Sequence, residues 1–144
     1  MYKKILLVPV ILFSSLNLFA QTSASSATVP HRVVIQLSSN DTLVWKGLMN
    51  NIKNLKNSWG DSVLIEVVAN GPGIEFLVMG KTTQQERIAY FKSKGVLFAG
   101  CENTMLERNI SKENMIPEAG FVKTGVGEII QKQEKGWSYI KVGL

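Results

Sequence analysis

The sequence holds a single thiol, Cys101, in the stretch VLFAGCENTMLER from Val96 to Arg108. It stands where a short apolar run that reads as a strand passes into a polar run that reads as a helix. A thiol at a helix N-terminus faces backbone N–H groups that favour its ionised, nucleophilic form. Such a terminus supplies about 0.3–1 kcal/mol when exposed and ~2 kcal/mol when partly buried, which lowers a thiol pKa by roughly one unit or less. Glu102 and Glu107 oppose that ionisation, and Arg108 is the cation in the same segment. If the helix begins at Cys101, then Cys101, Thr104, Met105 and Arg108 share one face, which makes Arg108 the expected thiolate partner. The alternative role for Cys101 is packing, since cysteine is among the most buried residue types.

A second chemical candidate is the turn Asn70-Gly71-Pro72-Gly73. Its backbone N–H groups and the Asn70 side chain are expected to bind an anion or polarise a ligand, together with Asn103 and Thr104 at the helix start. Gly71 and Gly73 resemble part of a dinucleotide fingerprint, but Phe76 replaces the third glycine and the turn follows the second strand rather than the first. The only histidine, His31, begins the first expected strand, whereas Cys101 ends a parallel one. About six residues at ~3.3 Å separate those edges by ~20 Å, which excludes a Cys–His dyad. One cysteine and one histidine on opposite edges make a poor metal site, so no metal and no cofactor is expected.

The elements that must position these groups follow from the hydrophobic pattern. Arg32 to Leu37 is largely apolar and β-branched, as a strand covered on both faces should be. Ser38, Ser39, Asn40 and Asp41 supply N-cap candidates for a helix with Val44, Leu48, Ile52, Leu55 and Trp59 along its apolar side. After Gly60 and Asp61, Ser62 to Ala69 reads as a second strand. The turn at residues 70 to 73 then opens a short helical piece from Ile74 to Met79. Thr83-x-x-Glu86 has the form of a capping box before a helix using Ile88, Ala89 and Phe91. Val96 to Ala99 is a third strand, and Thr104-x-x-Glu107 suggests a second capping box with the following helix starting at Met105. Phe121 to Lys123 forms a fourth strand, Val126 to Glu134 a helix, and Trp137 to Val142 a half-exposed edge strand. Alternating strands and helices predict a three-layer α/β sandwich with a mainly parallel sheet.

Residues 1–20 read as a signal peptide, with Lys3 and Lys4 before an apolar run that ends at Ala20. Cleavage is expected after Ala20, giving a periplasmic or secreted protein with no membrane attachment. Residues 21–30 read as a disordered leader, and residues 31–144 as a single domain. The formal charge of +5 includes Lys3 and Lys4 of the expected signal peptide, and the remainder is spread without a basic block. Trp45, Trp59, Trp137 and Tyr139 do not alternate with basic residues as a stacking platform would. No nucleic-acid partner is expected.

The order of VVIQLSSND, EVVANGPGI, GVLFAGCENTML and a closing GWSYIKV resembles the DsrE/DsrF-like family over about Arg32 to Val142. That resemblance implies a compact α/β fold with about five strands and assembly as a homo-oligomer, trimer or hexamer. It also implies a persulfide carried on the junction cysteine, which corresponds to Cys101. The function so implied is a sulfurtransferase-like sulfur carrier working with a sulfur donor or acceptor protein, which the expected signal peptide would make an exported one. The alternative is a non-catalytic oligomeric module of the same fold that binds a small ligand.

Overall fold

The computed structural model describes residues 30–143. The expected signal peptide and nearly all of the expected leader lie outside the described residues. Five strands, β1 (His31–Leu37), β2 (Val63–Ala69), β3 (Leu97–Cys101), β4 (Gly120–Val122) and β5 (Ser138–Val142), form one sheet in the order β4-β3-β2-β1-β5. Every pairing is parallel. The helices are α1 (Thr42–Trp59), α2 (Gln85–Ser93), α3 (Glu102–Glu107) and α4 (Gly125–Glu134).

The register divides the strand residues between two faces. Val33 pairs with Ile65 and Ile35 with Val67 on one face, while Val34 pairs with Glu66 and Gln36 with Val68 on the other. The first face is thickly covered. Trp45, Leu48, Met49 and Ile52 of α1, Ile88 and Phe91 of α2, Phe76, and Met105 of α3 pack there into one core with the strands. Trp45 meets Phe76 edge-on at 5.6 Å between ring centroids, and its indole N–H donates to the Ser39 carbonyl. The second face carries a small core of Val34, Val68 and Ile129, beneath α4.

This asymmetry follows from the connections. From β1 to β4 the chain steps steadily across the sheet, and its buried helical residues join the thick core. From β4 it must return past three strands to pair β5 with β1, and α4 makes that return on the opposite face. Crossovers of one hand change face when the direction of travel reverses. The chain therefore leaves β3 toward one face and the neighbouring β4 toward the other, opening a crevice at their carboxyl ends of the kind in which α/β proteins bind ligands.

Local details correct several expectations. Asp41 is the N-cap of α1, accepting from Leu43 N–H at 2.8 Å. Trp59, expected on the buried side, is 42% exposed and stacks on His31 at 4.0 Å; Trp45 fills the core instead. Neither expected capping box forms. Helix α2 starts at Gln85 with no side-chain cap, while α3 starts at Glu102, three residues before the expected Met105. The short helical piece is a 3-10 helix over Gly71–Leu77, beginning inside the turn. No helix among the described residues is long and apolar enough to cross a membrane.

Candidate functional site

Cys101 ends β3 and is the N-cap of α3, with extended backbone. It is 5% exposed. Its Sγ accepts the Gly125 N–H, the first of α4, at 3.2 Å. The thiol thus lies where two helices begin, one on each face of the sheet, in the crevice between β3 and β4. Burial disfavours its ionisation, but the Thr104 hydroxyl and the N–H groups of Thr104, Gly125 and Asn103 outweigh that cost and hold the thiol below its ordinary pKa.

Gly125 fits because it lacks a side chain. A Cβ there would lie 3.1 Å from Asn70 Cβ and 3.3 Å from both Cys101 Cβ and Val68 Cγ1. That clearance brings the α4 backbone against the sulfur and places Asn70 on the opposite wall. Nothing in the expected site included Gly125. The usable signal was a glycine at the start of a predicted helix, where serine, threonine, asparagine or aspartate caps are the stronger formers.

The Asn70–Gly73 turn reaches the site, but not by offering free N–H groups. Asn70 N–H donates to the Leu37 carbonyl at 3.0 Å and Gly73 N–H to the Asn70 carbonyl at 3.0 Å. Gly71 N–H donates to Thr104 Oγ1 at 3.1 Å, and Pro72 has no N–H. The turn therefore acts through Thr104, whose oxygen it occupies as an acceptor, leaving the hydroxyl proton available to the thiol. Gly73 must be glycine, because a Cβ would lie 2.2 Å from the Leu37 carbonyl oxygen. The Asn70 side chain accepts from Gln36 Nε2 at 3.2 Å, and Gln36 Oε1 accepts from the Tyr139 hydroxyl at 2.6 Å. This chain runs from the edge strand to the site and orients the Asn70 amide.

Two charged residues lie differently from the sequence expectation. Arg108 points to Glu75, 3.9 Å away, where Lys81 also binds at 3.0 Å, so it is not the thiol's partner. The arrangement arises because α3 lasts under two turns and Arg108 falls at its end. Glu102 pairs with Lys112 at 2.6 Å, which offsets the acid that follows the cysteine. Asn103 N–H also reaches the Lys123 carbonyl at 3.3 Å, tying α3 to the segment that leads into α4. His31 lies at the amino end of β1, away from Cys101, as the topology required. Among the described residues, no group of three or more His, Cys, Asp or Glu side chains is placed to hold a metal.

The roomier clefts lie elsewhere. One of about 570 Å³ runs between α1 and α2 past Lys53, Arg87 and Tyr90, and one of about 830 Å³ borders Thr82 to Arg87. Neither is lined by Cys101.

The sequence matches the DsrE/DsrF-like family over residues 33–142. Among solved structures, a protein of unknown function from Methanobacterium thermoautotrophicum, MTH1491, is 30% identical, with a TM-score of 0.73 over 77% of this chain and 98% of that one. The YchN protein of E. coli shares the fold, at 13% identity and a TM-score of 0.63 over 78% of this chain and 98% of that one. No curated protein matches the sequence at a significant level.

Proposed function

From the premise that the chain belongs to the DsrE/DsrF-like family, we propose that it carries sulfur on Cys101. The observation that carries this reading is the Gly125 N–H donated to the nearly closed Cys101 Sγ at 3.2 Å, at the start of α3, where the Thr104 hydroxyl and neighbouring N–H groups also favour the thiolate. The Cys101 thiolate attacks the outer sulfur of a sulfane donor such as thiosulfate. The donor S–S bond breaks, sulfite leaves with the electron pair, and a Cys101 persulfide anion remains. An acceptor thiolate then attacks the terminal sulfur, takes it as its own persulfide, and releases Cys101 as the thiolate. No net oxidation occurs in either step. Asn70, held by Gln36, and the donors around Sγ would stabilise the charged persulfide.

The competing reading, a non-catalytic ligand-binding module, is favoured by the low exposure of Cys101. The two part on one measurement. Reduced protein is incubated with thiosulfate or polysulfide and weighed intact. A mass gain of one sulfur atom, absent in Cys101→Ser, is the expected result, and no gain with either donor overturns the sulfur-carrier reading.

Two further elements belong to the proposal. The signal-peptide pattern ending at Ala20 supports export to the periplasm or the medium. Val126 and Ile130, 55% and 50% exposed on the outer side of α4, and Leu64 and Leu97 on the same side of the sheet support self-association through the thinly covered face.

A further inference from the structure

The thinly covered face contains one charged strand residue that is almost fully buried, Glu66, 3% exposed near the middle of β2. Its carboxylate pairs with Lys132 of α4. Lys132 also lies 3.4 Å from Glu128 and 4.4 Å from the centre of the Trp137 ring, so its ammonium is enclosed by two carboxylates and an indole. Burying such a pair contributes little net stability compared with apolar packing, while removing one partner is costly. In some proteins a buried polar or charged group sets the register of the elements that carry it.

Beyond its first residue, α4 has few contacts that fix its position along its axis. Gly125 and Ile129 are its buried residues, resting on Val34 and Val68, a smooth aliphatic surface that resists sliding weakly. Lys132 follows Gly125 by seven residues, about 10 Å along a helix. Across the sheet, Glu66 pairs with Leu97, four residues before Cys101, about 13 Å along a strand. The two lengths are comparable, so anchoring Lys132 on Glu66 sets Gly125 N–H against the sulfur. Resting on the thiolate reading above, we infer that Glu66 and Lys132 are positioning residues for Cys101, acting through the axial placement of α4.

The test exploits opposite signs. Glu66→Gln removes a negative charge, whose direct field effect would lower the thiol pKa. Loss of positioning raises it. The readout is the midpoint of Cys101 alkylation by iodoacetamide against pH, followed by intact mass on the full chain. The expected result is a higher midpoint and alkylation at neutral pH slowed about three- to tenfold, the scale of one helix-terminus contact. A midpoint that is unchanged or lower overturns the inference. If Glu66→Gln does not fold, the pair is replaced together as Glu66→Leu/Lys132→Met, an apolar exchange of the kind that buried ion pairs tolerate. That variant is expected to melt near the parent while keeping the raised midpoint; a parental midpoint overturns the inference. A wild-type protein that takes up no sulfur, yet shows the shift in Glu66→Gln, removes the sulfur-carrier reading and leaves the positioning intact.

Discussion

The two faces of the sheet are built for different tasks. On the α1 and α2 side, aromatic and aliphatic side chains interlock from Val33 to Phe98, and Phe76 contacts both Trp45 and Phe98. On the α4 side a single helix rests on two valines and is pinned by the Glu66–Lys132 pair. Cys101 lies between them. The thick side supplies Thr104, braced by the Asn70–Gly73 turn, and the thin side supplies Gly125 N–H. Core packing therefore resides largely in one layer, whereas the contacts to the thiol come from both, and mutations can separate the two.

The largest effect is expected from Phe76→Ala. Phe76 is fully buried, and truncation of such a side chain costs about 3–5 kcal/mol. Denaturant unfolding measures that loss, and in the fraction that remains folded Cys101 should keep the parental alkylation midpoint. A large midpoint shift there would break the separation of layers.

A smaller loss of stability, but the opposite balance, is expected from Gly125→Ala. The added methyl meets Asn70, Cys101 and Val68 at 3.1 to 3.3 Å, and overpacking of this kind costs about 1–3 kcal/mol. Pushing α4 away from the sulfur should raise the thiol pKa and slow alkylation below the ordinary thiol midpoint of about 8.5. The sign follows from the contact: the folded thiol is acidified by donors to its anion, so weakening a donor moves ionisation to higher pH. Unchanged alkylation in a folded Gly125→Ala protein would remove α4 from the site.

The smallest effect on the monomer is expected from Ile130→Lys, at a half-exposed position, within about 0.5 kcal/mol. Its informative readout is size by light scattering. Dissociation to a smaller species places the subunit contact on the outer side of α4, and an unchanged mass excludes that side from it.

Much of the fold was legible in the chain. Arg32 to Leu37 and Ser62 to Ala69 are apolar enough to be central strands, and α1 declares itself through its periodicity and a run of cap candidates that includes Asp41. The capping-box patterns at Thr83 and Thr104 were misleading. In the first, Gln84 rather than Thr83 precedes the helix, which starts at Gln85. In the second, the hydroxyl is drawn to Gly71 N–H and the thiol, and a residue so occupied cannot also cap. The site was legible by half: its edge, Cys101, Asn70 and Thr104 came from strand ends and turn residues. Gly125, Gln36 and Tyr139 lie 24, 65 and 38 positions from Cys101 in the sequence and meet it or its neighbours through pairing and crossover alone.

By itself the sequence determined that strands and helices alternate, that the sheet is parallel, that one thiol stands at a strand end, and that His31 is too far away to serve it. These follow from local periodicity and from the fixed rise of a strand. Which charges reach the thiol was decided only by the tertiary structure. Arg108, close in sequence, turns to Glu75, while Gly125 arrives from another helix on the other face. The reason is geometric: sequence separation fixes distance within one element, but packing and crossover direction decide which elements meet at its end.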